Sequence, residues 1–317
     1  MFFSADDDDQ DFLTSSGGSK LGSLFGLDKA SSQGGNESLT YTAPKQPKKT
    51  DVGGQTGGAG SPAVTFAVAV HAYKYVDGKY ASQGKLGSAI LANHATNDTP
   101  PHTHLSRHLP MLIIFPRTQG YRHKWYRILL YVSKTQQVTS AKITKAFSFT
   151  IQPNNYASFY DDARQTWSLM FDTEQNVIQF AKQIALAKAN SAGGSLDTLI
   201  SQDLTLGDGK VLENGDFVEV KYEGCLFTNY TFGQVFDSNI SAEKLFRFKI
   251  GQGKVIKGWD QGMLGMKKGS KRLLVLPPNL GYGAQGTGSK IPPNSTLIFE
   301  VEVVRVKLSK SDSESPV

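Results

Sequence analysis

Apolar and polar residues alternate with a period of two along several stretches of the chain. "FVEVKY" sets Phe217, Glu219 and Lys221 against Val218, Val220 and Tyr222, and "TLIFEVEVVRVKL" places Leu297, Phe299, Val301 and Val303 on a common face. "KLFRFKI" likewise sets Leu245, Arg247 and Lys249 against Phe246, Phe248 and Ile250. Successive side chains of a strand point to opposite faces of its sheet, so all three read as half-buried strands. Nearer the N-terminus, "AVTFAVAVHAYKYVDGKY" gives two apolar-rich runs about Asp77-Gly78, a dipeptide suited to a tight hairpin turn. Strand-like runs follow at "SAILAN", "YRILLYVS", "KAFSFTIQ" and "TWSLMF".

Two stretches follow a helical period instead. "TEQNVIQFAKQIALAKA" brings Val177, Ile178, Phe180, Ile184, Ala185 and Ala187 near one face, with Thr173 placed to cap the helix ahead of Glu174. In "KVIKGWDQGMLGMKKGSKR", Ile256, Trp259 and Met263 are spaced i, i+3, i+7, so a short helix would press all three against the apolar face of a sheet. Gly258, Gly262 and Gly265 limit its length and permit close packing, and "KKGSKR" reads as a turn and a solvated strand entry. The fold class is α+β and mainly β: a strand-rich barrel or sandwich closed by one C-terminal helix, then an antiparallel sheet wrapped on a short helix.

Composition sets the limits of these units. Residues 1–61, acidic and then rich in Gly, Pro and Ser, hold too few apolar residues to offset the entropy of ordering and read as a disordered tail. Within it Leu21, Leu24, Phe25 and Leu27 form either a short docking helix or a transiently helical piece of tail. A first domain is expected over 62–190, a linker over 191–199, a second domain over 200–309 and a solvated tail over 310–317. The chain has 317 residues, a net charge of +6 and a single cysteine, Cys225. One cysteine forms no intramolecular disulfide, and the acidic N-terminus does not resemble a signal peptide, which fits a reducing compartment. No apolar run approaches the roughly 20 residues that span a bilayer, so no membrane span is expected. The basic excess lies between residues 63 and 199, without the interleaved arginines and aromatics of a nucleic-acid surface.

Five of the six histidines fall between His94 and His123, and His102, His104 and His108 invite a metal reading. Zinc needs three or four ligands on a fixed frame, whereas this stretch is broken by prolines and holds no cysteine and a single carboxylate, Asp98. No metal and no cofactor is expected. Residues 97–124 read as an inserted loop between two strands.

The motifs "VKYEG", "GQVFDSN", "FRFKIGQGKVIKGWDQGMLGMKKGSKRLLVLPP", "GYGAQG" and "IPPNSTLIFEVEV" lie in order across residues 200–309. This region resembles the FKBP-type peptidyl-prolyl cis-trans isomerases, the immunophilins. The resemblance implies an apolar aromatic cup that twists Xaa-Pro amides. Trp259 would form its floor and Phe236, Phe246 and Phe299 its walls. Tyr222, Val255 and Ile291 would complete the lining. Asp237 and the Tyr282 hydroxyl would face the twisting amide, and the Ile256 N–H would anchor the substrate. The macrolides tacrolimus and rapamycin are implied as further ligands. Ala242 stands where the family often has an arginine supporting the acid, Thr287 and Lys290 replace residues that are often aromatic or aliphatic on the rim, and Lys290 should weaken macrolide binding.

In residues 62–190, "AVAVHAYKY", "QGKLGSAIL", "YRILLYV" and "FYDDARQTWSLMFDTEQNVIQFAKQIALA" are similar to the WH1 (EVH1) domains, pleckstrin-like barrels that bind proline-rich peptides in an aromatic groove. The similarity implies groove positions at Tyr75 and Tyr80, with a third from Tyr156 or Phe159. Together the two resemblances imply a cytoplasmic isomerase acting on Xaa-Pro peptides or proteins and tethered to actin-regulatory or endosomal partners. The alternative is a non-catalytic adaptor that binds proline-containing peptides through both domains.

Overall fold

The computed structural model describes residues 63–94, 123–133, 135–191 and 196–307. The expectations for 1–61, for His102, His104 and His108, and for 310–317 lie outside the described residues.

Strands β1 (Ala63–Val76) and β2 (Lys79–His94) form the expected hairpin, with Asp77 and Gly78 both at positive φ. That conformation gives a two-residue turn the twist of its flanking strands. β3 (His123–Ser133), β4 (Gln136–Ile143), β5 (Phe149–Gln152), β6 (Tyr156–Tyr160) and β7 (Thr166–Phe171) complete an antiparallel sheet in the order β4-β3-β2-β1-β7-β6-β5. β3 begins at His123, inside the stretch assigned to the insertion, because its pairing with β2 runs on to His94. Helix α1 (Glu174–Asn190) closes this unit. The Thr173 side chain accepts a hydrogen bond from the Asn176 N–H at its N-terminus.

The second sheet has the order β10-β9-β13-β12-β8, with β11 paired to β9. Its strands are β8 (Ile200–Thr205), β9 (Phe217–Thr228), β10 (Thr231–Ser238), β11 (Phe246–Lys249), β12 (Lys271–Leu276) and β13 (Leu297–Lys307). Helix α2 (Lys257–Gly262) lies on its inner face, with Trp259 and Met263 buried. A β-carbon added to Gly258 would sit 2.6 Å from the Leu276 δ-carbons, and one on Gly262 would sit 2.7 Å from Leu274 Cδ2. The glycines therefore set how closely α2 approaches β12.

One burial pattern departs from simple alternation. Leu297, Phe299, Val301 and Val303 are buried as expected, but Ile298 on the opposite face is buried too, with Leu273, Val275 and Cys225. These residues share a core with the first unit because α1 packs on β8 and β12 as well as on β1, β3, β4 and β7. That also explains why Ala181, Leu186 and Ala189, beyond the expected face of α1, are buried. Polar ties cross the joint. Gln202 Nε2 donates to the Phe149 carbonyl at 2.9 Å, Asn190 Nδ2 to the Tyr230 carbonyl at 2.9 Å, and Lys182 Nζ pairs with Glu300 at 2.5 Å. Leu196, in the stretch expected as a linker, is buried in the same core.

Candidate functional site

The short helix brings the indole of Trp259 up beneath three rings. The centroids of Tyr222, Phe246 and Phe299 lie 5.1, 5.9 and 5.3 Å from that of Trp259, with interplanar angles of 82°, 82° and 87°. Such edge-to-face contacts match positive ring edges to a negative ring face, which fixes orientation as well as contact. Phe236 packs edge-on to Phe299 at 5.5 Å. Each wall comes from a different strand: Tyr222 from β9, Phe236 from β10, Phe246 from β11 and Phe299 from β13. Above the floor opens a pocket of about 820 Å³, lined by these residues and by Asp237, Val255, Ile256, Tyr282 and Ile291. It thus brings together every residue the sequence placed in the cup. Thr287 and Lys290 stand on its wall, as their positions in the motif implied.

The polar groups are few. The Tyr222 hydroxyl donates to Asp237 Oδ2 at 2.6 Å, so the carboxylate is held from within the pocket although Ala242 supplies no arginine. Burial, then the hydrogen bond and the negative charge of Asp237, push the Tyr222 phenol above the usual tyrosine range. Burial and Asp237 raise Tyr282 in the same way. Both hydroxyls therefore stay protonated donors at neutral pH. Lys290 Nζ donates to the Phe236 carbonyl at 3.0 Å, which draws its ammonium onto the pocket wall. Trp259 Nε1 is buried without a hydrogen-bond partner.

Asp260, the one carboxylate of the "KVIKGWDQGMLGMKKGSKR" stretch, works on the backbone. Its two oxygens accept from the N–H groups of Gly251 and Gly253 at 2.8 and 3.0 Å, pinning the loop that leads into α2. Arg272, read as part of a solvated strand entry, is tied in instead. Its Nε donates to Asp203 Oδ1 at 2.6 Å, and its Nη1 donates to the carbonyls of Gly262 and Leu264 at the end of α2. Sequence reasoning also missed Phe248, 5.6 Å from Trp259, and Lys254 on the pocket lip. The phase of "KLFRFKI" could have found Phe248, since it lies on the same face as Phe246. Nothing in the sequence marks Lys254.

On the first sheet, Tyr75 and Tyr80 are 42% and 47% exposed and meet edge-to-face at 5.0 Å. Phe159 does not join them. It is 2% exposed in the core of the first unit, because alternation along β6 turns Ala157 and Phe159 inward and leaves Tyr156 at the surface side. Tyr156 packs 6.0 Å from Tyr73. Among the described residues of this unit the aromatics classed as exposed, Tyr75, Tyr80 and Tyr160, are all tyrosines, and Phe159 is a core residue.

Residues 209–304 match the family model described as FKBP-type peptidyl-prolyl cis-trans isomerase. Over 98% of its length the chain is 47% identical to FK506-binding protein 15 of Homo sapiens, and over 93% it is 35% identical to FK506-binding protein 5 of Dictyostelium discoideum. It spans only 24% and 16% of those two proteins. An FK506-binding protein of Neisseria meningitidis is 45% identical over 111 residues, which make up 98% of that protein. With that relative covered almost end to end and residues 209–304 matching the family model, the chain belongs to the FKBP-type peptidyl-prolyl cis-trans isomerase family.

Proposed function

We propose that the chain catalyses cis–trans isomerisation of Xaa-Pro bonds in the pocket above Trp259. Rotation about a peptide bond faces a barrier of about 18–20 kcal/mol, and for Xaa-Pro it takes tens to hundreds of seconds unaided. No covalent bond breaks, so neither nucleophile nor base is required. The twisted amide has lost resonance, and its carbonyl is less polar than that of the planar amide. A site that binds the twisted form better lowers the barrier, each tenfold gain needing about 1.4 kcal/mol of preference. The aromatic cup desolvates the carbonyl and grips the proline ring. Asp237 and the Tyr282 hydroxyl orient the twisting amide, and the Ile256 N–H anchors the peptide.

The observation that carries this reading is the perpendicular packing of Tyr222, Phe246 and Phe299 around Trp259. Exchange NMR on a Leu-Pro peptide tests it, with Trp259→Phe and Tyr282→Phe variants checked for folding. Wild type should accelerate interconversion well beyond either variant. Equal rates with and without protein would reject catalysis and leave the adaptor reading, which Lys290 on the pocket wall favours. That ammonium also weakens macrolide binding, and Lys290→Ile should tighten tacrolimus.

The barrel serves as a WH1-like tether for proline-rich segments of actin-regulatory or endosomal proteins, in a cytoplasmic setting. The support is the exposed Tyr75–Tyr80 pair, flat faces of the kind that dock polyproline helices. Chemical-shift changes at both tyrosines on adding a proline-rich peptide, lost in Tyr75→Ala, are the expected result. No change at either would remove this role.

A further inference from the structure

Beside the pocket lies a second groove of about 510 Å³, lined by Phe217, Phe246, Arg247, Phe248, Lys249, Gln252 and Lys254. It adjoins the pocket, and Phe246 and Lys254 line both. Three of its lining residues are cations and none is a carboxylate. Arg247 and Lys249 alternate outward from β11 and are gathered over one ring, at 5.4 and 5.5 Å from the centre of Phe217. Glu219 only partly neutralises them. It approaches Arg247 at 4.0 Å but pairs more closely with Arg305, at 3.1 Å. Asp260, the nearest acid in sequence to the loop, has both oxygens engaged by Gly251 and Gly253. Among the described residues β11 pairs with β9 on one edge only, which leaves its other edge as a track for an extended chain.

From this juxtaposition we propose, building on the isomerase reading, that the site selects Xaa-Pro substrates carrying a run of Asp or Glu within four residues of the proline. A peptide whose proline sits over Trp259 leaves the pocket across Phe246. At about 3.3 Å per residue, four extended residues reach the far end of β11. Their carboxylates then meet Arg247, Lys249 and Lys254. The aromatic floor under the cations carries the apolar parts of the same side chains. Lys290, held on the pocket wall by the Phe236 carbonyl, adds positive charge to a pocket in which Asp237, the only lining carboxylate among the described residues, is engaged by Tyr222.

The test uses the full chain and Leu-Pro peptides flanked on either side by three Glu, three Ala, three Lys or phosphoserine. Exchange NMR reads turnover, and fluorescence anisotropy reads binding. On one side of the proline, Glu peptides should exceed Ala peptides by about tenfold in kcat/KM at low salt, as three exposed ion pairs can supply, and Lys peptides should be poorest. The ratio should fall towards one in high salt and in the R247E/K249E and R247Q/K249Q variants. Equal handling of Glu and Ala peptides, or a preference that survives charge reversal, would overturn the proposal. So would a preference for phosphoserine well beyond that for Glu, which would assign the groove to phosphopeptides. If no peptide is turned over, the isomerase reading fails separately, and anisotropy with the same peptides still decides the groove.

Discussion

Among single residues, Tyr222 ties the polar part of the pocket to its aromatic wall. It holds Asp237 at 2.6 Å where the family motif would have led one to look for an arginine at position 242. Tyr222→Phe should keep the aromatic packing while releasing the carboxylate, and kcat/KM should fall about tenfold with the melting temperature little changed. A rate within twofold of wild type would show that Asp237 needs no such support. Asp161, in the barrel, is a second such tie. Burial pushes its pKa up, but hydrogen bonds from Thr139, Trp167, Ala163 and Gln165 outweigh it, and the net shift is downward. A depressed carboxyl contributes stability that is present above its unfolded pKa, about 3.9, and is lost as pH falls through the lower folded value. Asp161→Asn should therefore cost about 1–3 kcal/mol at neutral pH and flatten the acid limb of the stability curve, measured by urea unfolding from pH 6 to 2. An unchanged acid limb would place the acid sensitivity elsewhere.

At the scale of elements, helix α2 presents Trp259 only because two glycines let it lie against β12. Gly258→Ala would set a methyl 2.6 Å from the Leu276 δ-carbons. The helix must lift, at a cost of about 1–3 kcal/mol, and the floor of the pocket lifts with it. Loss of stability together with a fall in kcat/KM is the expected outcome. Retained activity in a destabilised variant would separate helix seating from the chemistry. The elements themselves were unequally legible. The α2 triad, the Asp77-Gly78 hairpin, the Thr173 cap and the 297–307 strand announce themselves by spacing and turn chemistry. β4, β6, β8 and β10 do not, because short strands with mixed polarity show no firm period until their partners are known. Phe159 illustrates the limit: whether an aromatic in such a strand faces groove or core depends on a register that the sequence leaves open.

For the whole molecule, the consequence of the shared core is mechanical. α1 is buried against both sheets, and the chain's single cysteine sits in that joint, 6% exposed, its thiol pushed up to about 11 chiefly by burial. A thiol reagent at pH 8 should leave Cys225 unmodified in the native protein, and modification should begin only with the transition that parts the two units. Rapid native-state labelling would contradict a closed joint. A fragment of residues 200–309 should likewise expose Leu273, Val275 and Ile298, bind a hydrophobic dye and melt well below the full chain. Identical melting of fragment and full chain would reject that coupling.

The two-unit order and the strand and helix periods are legible along the chain as local spacings, which persist whatever the rest of the chain does, whereas the aromatic set of the pocket was implied by the family motifs. It takes the folded chain to show that Ile298, Leu186 and Cys225 face a shared core and that Tyr222 holds Asp237. The fold also decided that Arg247 and Lys249 gather over Phe217 beside the pocket. Each of these is a contact between residues distant in sequence or on separate elements, and no period along the chain encodes which surfaces will meet.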